Sequence, residues 1–388
     1  FTLGNQYFNS APDKIDRYVN TFSSSTIWLL LGGFFLAAAM TKTKLDQKLL
    51  KLTLRLSGTK PRNIVIALML MTMIASMLMS NTAVTAMVVA AIMPLLNASG
   101  KAGLSKALLL GVSIASTLGG MCTIIGTPPN VLAAGMLDSA GIEVGFLDWM
   151  VYGVPVAVTL FIITGFVLLR LFVKDSTPIS LDFLEKENGE TSAELKTQRN
   201  IVLGVIIVTV LFWLTSSLHG ITVAAISAIP LVILTLTGVL SGNDIKTLPW
   251  DTLLLVAGGL SLGVALQHTG ILEHYAGKMR ALEVSHLVFI IILAYATMIV
   301  SNIMSNTAAS TVLIPLGMAI LIGSEEPVAV VIGLAASTAL FLPVSSPTNA
   351  IVYSTGFLEQ KDFRLGGILI GLLGPLLAVL WVMIIKGL

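Results

Sequence analysis

The chain of 388 residues is dominated by apolar side chains: 55% are hydrophobic, only 11% are charged, and the mean hydropathy is +0.94. Average soluble domains carry about 25% charged residues, so a water-soluble enzyme is excluded, and a net charge of +2 offers no basic surface for nucleic acid. The single cysteine, Cys122, excludes disulfide frameworks and thiolate metal clusters. The composition predicts an all-α polytopic protein embedded in the lipid bilayer.

The basic residues indicate which loops face the cytoplasm. Of the 22 lysines and arginines, 17 fall in segments that the apolar runs place on one side of the membrane. By the positive-inside rule, that side is cytoplasmic. We therefore expect a multi-pass protein of the cell inner (plasma) membrane, with the loops 42–62, 97–106 and 174–200 in the cytoplasm and the C-terminus external.

Residues 1–62 are predicted to form a first arm. It comprises a polar external segment at 1–25, an apolar helix at 26–41 and an amphipathic helix at 44–55. Leucines at helical spacing, with lysines on the opposite face, place this last helix on the cytoplasmic membrane surface.

Residues 63–149 are predicted to carry the first half of a transport unit. The apolar stretch 63–96 is flanked by basic loops of the same side, and a Ser-Asn-Thr triplet at 80–82 leaves two arms too short to span. This pattern predicts a re-entrant helical hairpin. The next apolar stretch, 104–136, contains a Gly-Thr-Pro-Pro-Asn sequence, which ends one helix and starts another, so it is expected to be a broken span.

Residues 150–252 are predicted to be scaffold. They comprise a span at 150–173, a hydrophilic cytoplasmic linker at 174–200, and two further spans at 201–217 and 220–240.

The second half repeats the first in the same order. A Gly-Gly pair recurs at an offset of 226, Ser-Asn-Thr at 225, and the Pro-containing break at 219. Such recurrence indicates duplication. The corresponding segments are an arm at 253–285, a transport part at 286–364 with a hairpin at 286–322 and a broken helix at 327–358, and a C-terminal scaffold helix at 365–388.

The charges around the second hairpin indicate that it enters the membrane from the external side, opposite to the first. The fold class is therefore an inverted-topology repeat with two re-entrant hairpins and two broken transmembrane helices, an architecture that binds substrate and ions near the midplane. Two spans precede the second Gly-Gly helix but none precedes the first. We expect two or three upstream transmembrane helices in the full-length protein.

The four breaks offer a chemistry for charged cargo. Ser, Asn and Thr are favoured N-cap residues, and four helix N-termini near the protein centre favour an anion. Carbonyls at the ends of the arriving helices, with hydroxyls and Asn amides, suit a small hard cation such as sodium. A single Ser-Asn-Thr is usually a packing feature, but recurrence in both halves favours a binding role.

Each Ser-Asn-Thr triplet is followed in its own half by a Pro-containing motif, Gly-Thr-Pro-Pro-Asn at 126–130 or Ser-Ser-Pro-Thr-Asn at 345–349. This doubled pattern resembles the divalent-anion/sodium symporter family. The resemblance covers essentially the whole chain. It implies an elevator-type homodimer that imports succinate-like C4 dicarboxylates with sodium.

The resemblance also implies site residues. The first sodium site would use Ser76, Ser80, Asn81 and the Gly126 carbonyl, and the second would use Ser301, the Met304 carbonyl, Asn306 and the Ser345 carbonyl. The substrate carboxylates would meet Asn81, Thr82, Thr127, Asn306, Thr307, Ser346 and Pro347.

Three alternatives stay open. A sodium-independent exchanger of dicarboxylate for 2-oxoglutarate is expected to carry a fixed cation at a sodium position, and an anion channel needs no duplicated cation sites. A membrane-embedded enzyme is disfavoured because no acid, base or nucleophile pair lies at membrane depth. Malate, fumarate, citrate and sulfate are further candidate substrates.

Overall fold

A computed structural model describes residues 15–175, 177–179, 192–280 and 284–387, and every regular element within these ranges is a helix. Six of the described helices are long and apolar enough to cross a membrane. These observations confirm the all-α fold class. The expected external segment before residue 15 and the middle of the hydrophilic linker, residues 180–191, lie outside the described residues.

The helices of the first half follow the predicted order. The α4–α5 pair is the expected hairpin, and α6 and α7 are the halves of the expected broken helix, separated by a short 3₁₀ turn at Ile124–Gly126. The helices are α1 (Asp16–Val19), α2 (Ser25–Lys42), α3 (Leu45–Ser57), α4 (Pro61–Ser76), α5 (Asn81–Ser99), α6 (Ala102–Met121), α7 (Pro128–Ser139) and α8 (Phe146–Phe172).

The second half has the same arrangement after four connecting helices, two of which are short. The α15–α16 pair is the second hairpin, and α17 and α18 are the second broken helix. The helices are α9 (Ala193–Leu214), α10 (Ser216–His219), α11 (Val223–Leu236), α12 (Gly242–Lys246), α13 (Trp250–His268), α14 (Ile271–Arg280), α15 (His286–Ser301), α16 (Asn306–Ile320), α17 (Glu325–Ala336), α18 (Pro347–Ser354) and α19 (Gln360–Lys386).

One helix begins earlier than the sequence predicts. Helix α9 begins at Ala193, inside the predicted linker, because Ser192 caps it by accepting from the Leu195 amide (3.2 Å). Arg199 Nε donates to the Thr43 carbonyl (2.8 Å), which gives this extra turn a charged contact with the first half. Helix α14 lies within the segment 253–285 that was predicted as the second arm, and it follows α13 as the amphipathic α3 follows α2.

The packing interleaves the two halves around the hairpin tips. Helix α5 packs against α18, and α16 packs against α7, so the second arm of each hairpin meets the broken helix of the other repeat. Helix α8 packs against α6 and α19, whereas α9 and α11 pack with each other and against α2. The four helices that begin at the repeated motifs therefore form two crossed pairs.

An ion pair joins the last residue of α2 to the short helix α12, which lies outside the membrane-spanning segments. Lys42 Nζ lies 2.6 Å from Asp244 Oδ2 on the short helix α12. The hydrogen bond from Lys42 lowers the pKa of Asp244 to about 2.

Candidate functional site

The first Ser-Asn-Thr triplet lies at the tip of the α4–α5 hairpin, where Ser80 is the N-cap of α5 and accepts from the Ala83 amide (3.2 Å). Ser76 Oγ, at the end of α4, donates to Asn81 Oδ1 (2.7 Å) and lies 3.3 Å from Ser116 Oγ of α6. Ser116 donates to the Asn81 carbonyl (2.8 Å). Two residues expected at the first sodium site are therefore adjacent, and Ser116 joins both to the broken helix.

Close backbone packing brings the end of α6 against this tip. A Cβ atom built on Gly120 would lie 2.4 Å from Asn81 Oδ1, and one built on Gly126 would lie 2.5 Å from the Gly120 carbonyl oxygen. Thr123 Oγ1 donates to the Met77 carbonyl (2.6 Å). Gly120 therefore packs against both Asn81 and Gly126, and the absence of a side chain at both glycines permits this close packing.

The second triplet has the same cap and a different side-chain environment. Ser305 Oγ accepts from the Ala308 amide (3.1 Å). The side-chain oxygens of Ser301 and Asn306 are buried and make no hydrogen bond within the described part of the chain. A buried oxygen without a partner is costly, and neutral oxygens are the ligands that hard cations take. The residues expected at the second sodium site therefore fit a cation.

Asn302 links the second hairpin to the break between α17 and α18. Its Oδ1 accepts from Ser345 Oγ (2.8 Å) and from the Phe341 amide (3.0 Å), and its Nδ2 donates to the Met298 carbonyl (2.9 Å). Ser345 is thereby held beside the end of α15. The side chain of Met304 is 48% exposed at the tip, so only its carbonyl is a candidate ligand.

The asparagine that ends each Pro-containing motif holds the backbone of the break in its broken helix. Asn130 Nδ2 donates to the carbonyls of Gly120, near the end of α6, and of Thr123, in the break, at 2.9 and 2.8 Å. Asn349 Nδ2 donates to two carbonyls of the break between α17 and α18, at 3.1 and 2.9 Å. Backbone carbonyls at and beyond a helix end lack intrahelical donors, so each asparagine supplies hydrogen bonds to the break that precedes it.

A buried polar contact connects the repeats on one side only. Ser113 Oγ of α6 lies 2.7 Å from Asn349 Oδ1 and 2.9 Å from Thr348 Oγ1. Ile332 stands at the equivalent position of the second repeat, at an offset of 219. Asn130 Oδ1 has no hydrogen-bond partner among the described residues.

The remaining predicted substrate residues begin the helices of the two crossed pairs. Ser346 Oγ accepts from the Asn349 amide (3.2 Å) and caps α18, whereas Thr127 precedes α7 without a side-chain cap. The structure does not bury all of them equally. Thr127, Thr307 and Ser346 are buried. Asn81 and Asn306 are half-buried, whereas Thr82 and Pro347 are exposed.

The stretches that carry the motifs contain no basic side chain. No Lys, Arg or His occurs between Arg62 and Lys101, between Lys106 and Arg170, or between His286 and Lys361. An anion bound at the tips would therefore be neutralised by helix N-termini and by cations that bind with it.

Sequence reasoning missed four of the polar residues described above. Asn130 and Asn349 end the two repeated motifs, so the repeat itself carried a signal for them. Ser116 and Asn302 have Ala335 and Met77 at their equivalent positions, so the repeat offered no signal.

Residues 11–331 match the family model described as citrate transporter. The sodium-dependent dicarboxylate transporter SdcS of Staphylococcus saprophyticus is 28% identical over 395 residues, covering 92% of this chain and 76% of the relative. The uncharacterized transporter MJ0672 of Methanocaldococcus jannaschii is 30% identical over 308 residues, covering 76% and 67%. Among solved structures, the YdaH transporter of Alcanivorax borkumensis matches with a TM-score of 0.57 and 15% identity, covering 95% of this chain and 87% of its own, which shows a shared fold.

The family match extends over most of the chain and describes transporters rather than enzymes. The six helices of spanning length make the protein a multi-pass membrane protein. The resemblance that the repeated motifs carry is thereby confirmed, and the chain belongs to the citrate transporter family.

Proposed function

We propose that the protein imports a C4 dicarboxylate such as succinate together with sodium ions. The observation that carries the proposal is the pair of hairpin tips at which Asn81 and Asn306 begin helices and direct amide oxygens into buried polar surroundings. The names of the SdcS relatives support sodium and a dicarboxylate as the cargo.

The substrate carboxylates bind at the crossed helix N-termini. Each N-terminus presents free N–H groups and the positive end of a helix dipole, and Thr127, Thr307 and Ser346 add hydroxyl donors there. Two N-termini from each repeat suit a ligand with two carboxylates separated by a short carbon chain.

Sodium supplies the charge that the protein lacks at this site. One ion binds with Ser76, Ser80, Asn81 and the Gly126 carbonyl, and the other binds at Ser301, Asn306 and the carbonyls of Met304 and Ser345. Because each asparagine serves both an ion and the substrate, ion binding orders the tip and raises the affinity for the anion. Such coupling is reciprocal.

Transport follows an elevator movement in a homodimer. The sequence alone grouped residues 150–173 and 365–386 with the scaffold. The packing of α8 on α6 and of α19 on α17 supports including both helices in the moving body. The arm helices α2 and α13, with α9 and α11, then form the static part that dimerises.

The experiment is uptake of radiolabelled succinate into proteoliposomes with an inward sodium gradient. We expect accumulation with sodium and none when choline replaces it. Equal uptake in choline would refute sodium coupling. Counterflow of succinate against internal 2-oxoglutarate without sodium would identify an exchanger instead.

A further inference from the structure

The two repeats differ at the face between the second hairpin arm and the broken helix. In the first repeat, Ser116 on α6 occupies this face and reaches both Ser76 and Asn81. At the equivalent position of the second repeat, at an offset of 219, stands Ala335, which has no polar side-chain atom. The second-repeat counterparts of Ser76 and Asn81, which are Ser301 and Asn306, have side-chain oxygens without a hydrogen-bond partner among the described residues.

Ser310 adds a third oxygen to this unsatisfied face. It follows Asn306 by one helical turn on α16, so the two side chains lie on the same face. Its side chain is fully buried, and its Oγ makes no hydrogen bond among the described residues. Thr85, its counterpart at an offset of 225, is likewise buried and unpartnered within the described ranges, so the duplication retains a hydroxyl here in both halves.

The packing at Gly317 shows what this face of α16 meets. Gly317 lies two turns beyond Ser310 on the same face, and a Cβ built there would be 2.9 Å from a side chain of α17 and 3.3 Å from one of α15. Short connections make α16 antiparallel to both helices. Going from Gly317 back to Ser310 is a step of two turns towards the start of α16. In an antiparallel neighbour this is a step of two turns towards the end of the helix, which places Ser310 at the level of Ser301 on α15 and Ala335 on α17.

We propose that Ser310 is a cation ligand, and that Ser301 Oγ, Asn306 Oδ1 and Ser310 Oγ form one buried cation pocket opposite Ala335. The repeated motif assigns the first two residues, and Ser310 is the new member. The identity of the ion as sodium rests on the proposed function. The described residues contain no group of three or more His, Cys, Asp or Glu that would hold a metal ion, and neutral oxygens alone favour a monovalent over a divalent cation.

A cation ligand and a hydroxyl needed for packing have different effects on stability when Ser310 is replaced. Removing an unsatisfied buried hydroxyl does not cost a hydrogen bond. We therefore expect Ser310→Ala to be at least as stable as the parent protein in choline. When sodium is added, the variant should gain less stability than the parent. A hydroxyl needed for packing would lower stability in both salts.

The test measures thermal unfolding of the purified protein, without dicarboxylate, in a series of sodium concentrations at constant ionic strength kept with choline. A ligand that binds only the folded state raises Tm with concentration. For Ser310→Ala we expect the half-saturating sodium concentration to rise about tenfold, as the loss of one ion contact predicts. The matched control is Thr209→Val, which removes a buried, unpartnered hydroxyl from α9, and it should keep the parent response.

A second variant tests the same face by adding a hydroxyl instead of removing one. Ala335→Ser restores the hydroxyl that Ser116 supplies in the first repeat. We expect it to raise Tm in choline and to weaken the sodium response, because the new hydroxyl competes with the ion. An unchanged sodium response in Ser310→Ala, or a loss of Tm in this variant that is equal in both salts, would overturn the proposal.

The outcome is separable from that of the proposed function. If uptake in proteoliposomes requires sodium but Ser310→Ala responds to sodium as the parent does, the pocket is wrong and the function stands. If sodium raises Tm through Ser310 while uptake proceeds equally in choline, the pocket stands and sodium-coupled import is wrong.

Discussion

Gly120→Ala is a small change that acts directly on Asn81. The added methyl carbon would lie 2.4 Å from Asn81 Oδ1 and 2.8 Å from Nδ2. Both atoms belong to the end of a side chain rather than to backbone. The amide therefore moves away, and α6 keeps its place. The neighbouring Gly119→Ala differs because its methyl would lie 2.1 Å from the Met73 carbonyl oxygen, which is backbone, and we expect that variant to disrupt folding.

The size of the effect follows from the contact. An ordinary van der Waals separation begins near 3.4 Å, so Asn81 Oδ1 must retreat by roughly 1 Å. Ion–ligand distances hold within about 0.2 Å, so this retreat removes Asn81 from the first sodium site. A hydrogen bond or contact to a charged group contributes about 1.5–3 kcal/mol. We therefore expect the half-saturating sodium concentration for uptake to rise about 10- to 100-fold.

The assay is succinate uptake at varied sodium, with Tm measured on the same preparation. Gly204→Ala is the matched control because a Cβ at Gly204, within α9, meets no atom within 4 Å. Both changes add helix propensity, of up to about 1 kcal/mol. In Gly120→Ala this gain offsets the loss of the hydrogen bond from Ser76 to Asn81, which contributes about 0.5–1.5 kcal/mol, so we expect little change in Tm. Sodium dependence equal to that of Gly204→Ala would refute the role assigned to Asn81.

Three further predictions concern the rest of the molecule. Ser113→Ala leaves Asn349 Oδ1 buried without its donor, so the free energy of unfolding should fall by about 1–3 kcal/mol; an unchanged Tm would contradict this. Asn302→Ala frees the second break from the hairpin, so sodium-dependent uptake should weaken more than Tm; a proportional loss of both would indicate a structural role alone. The lowered pKa of Asp244 means that its pair with Lys42 stabilises the fold above the unfolded pKa and is lost as pH falls towards about 2. Asp244→Asn should therefore cost at most about 1 kcal/mol at every pH from 5 to 8, and a Tm difference that varies across that range would be inconsistent with this pair.

The helices and their breaks were predictable because a bilayer leaves few options for an apolar chain. Every backbone group must be satisfied internally, so apolar runs form helices, and Ser80 and Ser305 begin new ones as their cap chemistry requires. The repeat also located the two tips, since the same triplet recurs in both.

The differences between the tips could not be predicted from the repeat. Asn81 Oδ1 accepts from Ser76, whereas Asn306 Oδ1 has no hydrogen-bond partner among the described residues, although the two triplets have the same sequence. The difference comes from packing, and a motif in one segment carries no information about which side chain faces it. Ser116, which contacts Ser76 and the Asn81 carbonyl, lies on another helix and outside the motifs. The same holds for Asn302, which has a methionine at its equivalent position.

The central claim is that sodium completes the site that binds the dianion. Its most direct measurement is isothermal titration of succinate into the purified protein at several sodium concentrations, paired with titration of sodium at several succinate concentrations. The account predicts that sodium raises the affinity for succinate and that succinate raises the affinity for sodium by the same factor. A succinate affinity that stays constant from sodium-free to saturating sodium would contradict it.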